Sequence, residues 1–486
     1  MSHRILFIAS EVQPWIKTGG LADVAGALPK ALAALGHDVR VLLPAYGDIL
    51  AGEQSLRPVH RFRAPAGFED WQLLTPRRRT DGIRLWLASG PGFSDRRGSP
   101  YLDEHGQDWP DNAVRFNAFC RIATALASGR AGTVWRPHVV HCNDWQTGLV
   151  PVWMQQRRVP AASIFTVHNL NYHGRFEPQT LHRLSLPSYL WHADALEFYG
   201  DLSFIKGGLV FADMLTTVSP TYAEEICTPA RGEGLDGLLR HRREDLVGIL
   251  NGIDPDEWDP RSDPHLPANF SVQDLAGKRQ TKQHLQQALG LEVAADVPLL
   301  VMISRLVPQK GVDLVLQALP DLLNRGAVQL AVLGSGESAL EQRLRDLASA
   351  YPGRVAVQIG FDEALAHRLE AAADLFLMPS RFEPCGLNQL YSLRYGTPPV
   401  VHRCGGLADS VVDVTAAPAA GTGFVFDQQT PEALGAAIEH ALALFRQPQA
   451  WRQLQARGMN ADFGWKRSAR AYVEVYEAAM TRLART

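Results

Sequence analysis

Gly19-Gly20-Leu21-Ala22-Asp23, near the start of this 486-residue chain, recurs as Gly405-Gly406-Leu407-Ala408-Asp409 near its end. A glycine pair that opens a helix lets backbone approach a ligand closely and aims N–H groups at it. Lys17 precedes the first copy and Arg403 the second. Either pair alone is also ordinary helix-start punctuation. Between them, Ser304-Arg305-Leu306-Val307-Pro308-Gln309-Lys310-Gly311 follows an apolar run and leads into a helical pattern. Arg305 and Lys310 then stand where a strand's carboxyl end meets a helix amino end, a position that favours an anion. Arginine can grip a phosphate with two parallel bonds, and lysine supplies a compact charge.

Pro379-Ser380-Arg381-Phe382-Glu383-Pro384-Cys385-Gly386-Leu387 follows another apolar run. Pro384 suits a first helical position, which places Glu383 at the turn entering the helix. Its carboxylate has two readings: a helix cap, or a charged acceptor for sugar hydroxyls. Cys385 reads as a small packing residue or pocket wall rather than a nucleophile, since nothing in sequence lowers its thiol pKa. His141, Asp144 and His168 fall near predicted strand ends, where site residues gather. Asp254-Pro255-Asp256 reads as a turn rather than a divalent-metal site. The cations Lys17, Arg305 and Lys310 can neutralise a leaving diphosphate in place of a metal.

Short apolar runs alternating with amphipathic stretches must position these residues. Arg4–Ala9, Asp38–Leu43, Ile83–Ala88, Val139–Cys142, Ser163–Val167 and Met214–Val218 read as strands. Asp23–Leu35, Asn112–Ala127 and Thr147–Gln156 read as helices, and Arg57–Arg84 as a hairpin insertion or loop. Asp254 to Pro267, with four prolines, has linker chemistry. The rhythm then restarts with strands at Leu299–Ile303, Val328–Leu333, Val355–Ile359, Leu375–Met378 and Pro399–His402. Helices are expected at Val312–Leu323, Leu340–Ala350, Ala364–Ala373 and Gly386–Tyr395. Lys466–Ala484 reads as a long amphipathic helix. The predicted fold class is α/β: two doubly wound, Rossmann-like domains facing a deep interdomain cleft. The expected domains are residues 1–252 and 253–464, with a C-terminal helix, 465–486, packing back on the first.

Composition narrows the function. A 46% hydrophobic and 20% charged chain has ample core. A net charge of -3 offers no basic field for nucleic acid or anionic membrane. Five scattered cysteines without a CxxC pair argue against a disulfide framework or zinc site. The apolar run Ile5 to Ala9 is too short for a signal peptide, and no segment offers about 18 uncharged apolar residues. The expected setting is cytoplasmic and reducing.

Six motifs, in order, carry a family likeness. Lys17-Thr18-Gly19-Gly20-Leu21, His141-Cys142-Asn143-Asp144-Trp145 and Thr166-Val167-His168-Asn169 lie in the first half. Asn251-Gly252-Ile253-Asp254, Ser380 to Leu387 and Arg403-Cys404-Gly405-Gly406-Leu407 complete the set. Across essentially the whole chain the sequence resembles the bacterial glycogen synthases, kin of plant starch synthases. That resemblance implies the GT-B fold and retaining transfer of glucose from ADP-glucose to the non-reducing end of an α-1,4-glucan such as glycogen; no metal and no cofactor are expected.

By the same likeness, Arg305 and Lys310 would bind the diphosphate and Lys17 would reach the donor phosphate from the other domain. Glu383 would hold glucose hydroxyls, while His168 and Asp144 would line the glucose and acceptor side. Gly19, Gly20, His141, Asn169, Asn251-Gly252, Cys385, Gly386, Leu387 and Tyr391 would complete substrate binding, with Gly405 and Gly406 offering N–H groups to phosphate. Tyr391 stands where the wider superfamily often has a second glutamate, as in glycogen synthases of this type. Asn143 and Gln146 depart modestly from the family pattern. The rival readings are a transferase using UDP-glucose or GDP-mannose, a pyridoxal-phosphate glucan phosphorylase, and a non-catalytic glucan-binding protein.

Overall fold

The computed structural model describes residues 2–53, 55–62, 70–77 and 83–485. It divides into two units: unit 1 holds Met1–Asn251 with Trp465–Thr486, and unit 2 holds Gly252–Gly464.

Unit 1 is built on β1 (Arg4–Ile8), β2 (Asp38–Pro44), β3 (Leu56–Arg61), β4 (Gln72–Pro76), β5 (Arg84–Ser89), β6 (Val139–Asn143) and β7 (Ala162–Val167). A small antiparallel sheet of β8 (Arg175–Phe176), β9 (Glu197–Phe198) and β10 (Asp201–Ser203) is inserted before β11 (Met214–Thr217) and β12 (Leu246–Gly248). The nine-stranded main sheet runs β12-β11-β7-β6-β1-β2-β5-β4-β3. From β12 to β5 it is parallel, so both faces need helical cover, and its central strands β1, β6 and β7 are buried along nearly their whole length. β4 and β3 add an antiparallel hairpin at one edge. The Arg57–Arg84 stretch therefore contains a hairpin, although its residues 63–69 and 78–82 lie outside the described residues.

The helix Trp465–Leu483 belongs to unit 1, where it packs on the helix Gly20–Ala34 and on β7. Ser468 Oγ donates to the Leu250 carbonyl at 2.6 Å, and Arg482 pairs with buried Asp245.

Unit 2 is built on β13 (Leu299–Ile303), β14 (Gln329–Gly334), β15 (Val355–Ile359), β16 (Leu375–Met378), β17 (Pro399–His402) and β18 (Phe424–Phe426). Its sheet order, β15-β14-β13-β16-β17-β18, is wholly parallel. Numbered within the unit this is 3-2-1-4-5-6, the doubly wound order, with the winding reversing between β13 and β16.

Three expectations are corrected here. Val312–Leu323 is two helices, Val312–Ala318 and Pro320–Asn324, because Pro320 cannot donate into a continuing helix. The helix expected from Gly386 begins at Asn388, since Gly386 sits at φ +72°. The proline-rich stretch after Asp254 is not a free linker. Trp258, Leu266 and Phe270 are buried with Leu390, Tyr391 and Tyr395 in a cluster of unit 2. Within it, the Asp256 N–H donates to the Asp254 side chain at 2.9 Å, which is turn chemistry.

Candidate active site

In doubly wound sheets ligands bind beyond the carboxyl ends of the strands, where the winding reverses. In unit 2 that point lies at the ends of β13 and β16. Arg305 and Lys310 follow β13, and Ser380 to Leu387 follow β16. Several interactions zip the two loops together. Gly311, at φ +69°, presses its Cα so close to the Pro379 carbonyl that a Cβ there would sit 2.2 Å away. Arg381 donates both terminal nitrogens to Asp313, at 2.8 and 2.7 Å. Its N–H donates to the Gln309 carbonyl at 2.8 Å, and Gln309 Nε2 donates to the Phe382 carbonyl at 3.1 Å.

This zipper sets Lys310 Nζ 2.5 Å from Glu383 Oε2. Ser380 Oγ donates to the same oxygen at 3.1 Å, while Glu383 Oε1 receives no hydrogen bond from any described residue. Glu383 is only 6% exposed, so the pair interacts in a partly desolvated setting. The carboxylate does not cap the following helix, whose N-cap is Leu387 with no side-chain bond. Arg305 lies exposed on the same loop, with Nη2 3.4 Å from Gln309 Oε1.

The second glycine pair opens only a six-residue helix after β17. A Cβ on Gly405 would lie 2.0 Å from the Glu383 carbonyl, and one on Gly406 2.2 Å from that of Cys385. The Gly406 N–H donates to the Glu383 and Pro384 carbonyls, at 3.1 and 3.2 Å. The expectation that Gly406 offers its N–H to a phosphate is therefore corrected. The pair is glycine because this turn packs against the Glu383–Cys385 backbone and buttresses it. Cys385 is buried, and the carbonyls of Cys385 and Gly386 accept from Gln389 Nε2 at 3.0 and 3.1 Å. Leu387 packs on the Trp258 cluster, and the Tyr391 ring stacks on Trp258 at 3.7 Å.

In unit 1 the winding reverses between β1 and β6. The β1 loop carries Lys17, Gly19 and Gly20; Asp144 follows β6, and His168 and Asn169 follow β7. Glu11, absent from the sequence-based candidates, organises the first loop. Its carboxylate, 3% exposed, accepts the Thr18 and Gly19 N–H groups at 2.5 and 3.1 Å, Thr18 Oγ1 at 2.6 Å and the Tyr101 hydroxyl at 2.5 Å. The Gly19 N–H thus serves the protein's own carboxylate rather than standing open to a ligand, a second correction. A Cβ on Gly19 would meet nothing within 4 Å, unlike its counterpart Gly405. Lys17 Nζ pairs with Asp23 at 2.7 Å, in the first turn of the helix that Gly20 opens.

Asp144 sits at φ +56°, a conformation costing roughly 1–3 kcal/mol in a non-glycine residue. Its N–H donates to Thr166 O at 2.9 Å, and its Oδ1 accepts the His168 N–H at 2.7 Å. Burial pushes the Asp144 carboxyl up to about 7, against the pull of the His168 and Asn169 N–H groups. Asn143 Nδ2 donates to the Ile8 carbonyl at 2.9 Å, which turns Asn143 Oδ1 toward His168 Nε2, 2.9 Å away. The His168 ring is therefore a neutral Nε2–H tautomer, and burial lowers its pKa to about 3. His168 Nδ1, a lone-pair acceptor, has no hydrogen bond among the described residues. Asn169 Oδ1 accepts the Asn171 N–H at 3.1 Å. Asn251 is buried, its Oδ1 without a partner among the described residues, and Gly252 follows it as the first residue of unit 2.

His141 is the third correction. It is wholly buried, with Nδ1 2.8 Å from the Tyr476 hydroxyl and Nε2 2.6 Å from Thr166 Oγ1. It lies inside β6, facing the core under the C-terminal helix, whereas His168 lies just past the end of β7. Burial lowers the His141 pKa to about 3. The unfolded chain, titrating near 6.5, binds more protons between these values, so this residue's contribution to stability is lost as pH falls through that window. His168 acts with the same sign; Asp144, raised, acts oppositely below about pH 7. His141→Asn is expected to lower stability at pH 7 by about 1–3 kcal/mol and to flatten the acid-side slope. Thermal unfolding from pH 7 to 4 checks this; an unchanged slope would contradict the burial argument.

Among the described residues, no group of three or more His, Cys, Asp or Glu is placed to hold a metal ion. No described helix is long and apolar enough to cross a membrane.

Comparison with known proteins gives the family of the chain. The family model for the starch synthase catalytic domain matches residues 4–241, and that for glycosyl transferases group 1 matches residues 290–455. The glycogen synthase of Cellvibrio japonicus is 53% identical over 482 residues, covering 98% of this chain and 99% of that protein. The glycogen synthase of Thioalkalivibrio sulfidiphilus is 52% identical, covering 98% and 99%. The catalytic domain of Starch Synthase IV from Arabidopsis thaliana, solved bound to ADP and acarbose, matches with a TM-score of 0.88. It is 33% identical, over 99% of this chain and 100% of that one. The sucrose-phosphate synthase of Thermosynechococcus elongatus, 18% identical with a TM-score of 0.59 over 98% of both chains, shares the fold. Two parallel α/β units with polar loops at their reversal points thus define a GT-B glycosyltransferase. Within that class, near-full-length identity is decisive: the chain belongs to the glycogen synthase family.

Proposed function

We propose that this protein transfers glucose from ADP-glucose to the non-reducing end of an α-1,4-glucan, with retention of configuration and release of ADP. The observation that carries the reading is the Lys310–Glu383 pair, 2.5 Å apart at the reversal point of unit 2, with Arg305 on the same loop. Lys310 and Arg305 take the diphosphate. Glu383 Oε1 accepts glucose hydroxyls while Oε2 stays on Lys310 and Ser380. Cys385 and Gly386 line the donor pocket, and Asn251 and Tyr391 belong to the same binding set. In unit 1, Asp144, Asn169 and the neutral His168, with Nδ1 as acceptor, serve the sugar and acceptor.

Glu383, committed to Lys310, leaves no second carboxylate in that loop to form a glycosyl-enzyme intermediate. We therefore assign a same-face displacement. The bond from glucose C1 to the phosphate oxygen breaks as an oxocarbenium-like centre forms. The acceptor hydroxyl attacks from the leaving-group side, and its proton passes to the departing phosphate. Positioning and charge stabilisation carry the rate. The test supplies glycogen with ADP-glucose or UDP-glucose in parallel and measures nucleotide release against glucan growth. Growth is expected with ADP-glucose at a far higher kcat/KM. A preference for UDP-glucose would overturn the donor assignment, and glycogen binding without transfer would overturn the enzyme reading.

A further inference from the structure

The arginine-rich edge of unit 1 plays no part in the proposed transfer, yet it holds a cavity of about 280 Å³. Arg40, Arg57, Arg77 and Arg84 line it. The parallel strands β2 and β5 run through it at their amino ends, with Arg40 directly opposite Arg84 in register. Asp144 and His168 follow the carboxyl ends of β6 and β7 in the same sheet, so this cavity lies at the sheet's other end.

Like charges placed opposite each other on neighbouring strands destabilise a sheet, and here two more guanidinium groups join them. The Arg40 guanidinium is held against aromatic faces, 4.2 Å from the Trp135 ring centre and 5.0 Å from that of Trp86. Its Nε lies 3.7 Å from Asp38, whose other oxygen accepts Trp135 Nε1 at 2.7 Å. Arg57, Arg77 and Arg84 are exposed, and none has a carboxylate partner among the described residues. Ile83 and Leu85 add an apolar wall. The cavity therefore gathers four cations, one of them pre-positioned, beside the apolar side chains of Ile83 and Leu85. Its volume is that of several waters, each about 30 Å³, more than a chloride ion needs.

We infer that this cavity binds a small phosphate monoester, its phosphate taken by guanidinium groups and its carbon skeleton lying on Ile83 and Leu85. Guanidinium matches phosphate geometry with paired bonds and keeps its charge at every physiological pH.

Equilibrium dialysis of the full chain, with inorganic phosphate and acetate as probes at equal ionic strength, tests the inference. It compares the unaltered protein with Arg57→Ser/Arg84→Ser and with Lys310→Ala. Both substituted arginines are exposed, and circular dichroism verifies folding. Phosphate is expected to bind in preference to acetate. The double arginine variant should weaken one class of phosphate site by at least about tenfold while transferring glucose at the unaltered rate. Lys310→Ala should retain that class. Equal binding of acetate and phosphate, or phosphate binding abolished by Lys310→Ala and untouched by the arginine changes, would overturn the inference.

Discussion

Lys310→Ala is expected to lower kcat by about 10²–10³-fold, the cost of removing one preorganised charge from a developing anion. Lys310 stands at the end of a short turn, half-buried, and among the described residues its amine pairs with Glu383. Losing it leaves Glu383 Oε2 with the Ser380 hydroxyl alone, while the Arg381–Asp313 and Gln309–Phe382 bonds that shape the loops stay in place. Folding should therefore survive, as circular dichroism can check. Lys310→Arg should not restore the rate, because a planar fork cannot occupy the site of a compact ammonium beside a carboxylate in this geometry. The kcat and KM for ADP-glucose of all three proteins decide it. A near-normal kcat in the alanine variant would remove Lys310 from leaving-group stabilisation.

Glu383→Ala is expected to cost a comparable factor, about 10²–10³ in kcat/KM, for two coupled reasons. It removes the Oε1 acceptor assigned to glucose hydroxyls, and it frees Lys310 from the position Oε2 gives it. Glu383→Gln keeps an acceptor of the same shape but loses the ionic partner, so it should fall between the unaltered protein and the alanine variant. Because the two residues act as a unit, the Lys310→Ala/Glu383→Ala double variant should be little worse than the more severe single change. Strictly multiplicative losses in that cycle would mean independent roles and contradict the pairing.

Much of unit 2 is legible in the sequence because its strands are short apolar runs bounded by glycine, proline and polar turns. Leu299–Ile303, Val355–Ile359, Leu375–Met378 and Pro399–His402 fall where the runs place them. The helix Ala276–Ala288 is not legible, since charged side chains occupy its buried face. Lys278 Nζ is buried on the Ala371 and Tyr395 carbonyls and Thr397 Oγ1, and Lys282 on Asp374. Such partners come from distant segments, and no periodicity announces them.

The site divides in the same way. Lys310 and Glu383 could be proposed because strand ends and helix starts gather chemistry. Glu11 could not, because its four donors are brought together by the β1 loop and by Tyr101, 90 positions away. His141 and His168 look alike in sequence, two histidines near strand ends. One residue lies inside its strand and one just beyond, and that alone makes the first a core residue and leaves the second an open acceptor. The repeated glycine word is also two different things. Its second copy is pressed against the Glu383 loop, and its first has open space above Gly19.

Leaving-group stabilisation by Lys310 is tested most directly by the stoichiometry of ADP released to glucose added, with glycogen and ADP-glucose in a chelating buffer, for the unaltered protein and Lys310→Ala. One ADP per glucose added is expected from the unaltered protein, undiminished by the chelator, with a rate lower by about 10²-fold or more in the variant. Equal rates in the two proteins, or no ADP release from the unaltered one while it still binds glycogen, would contradict it.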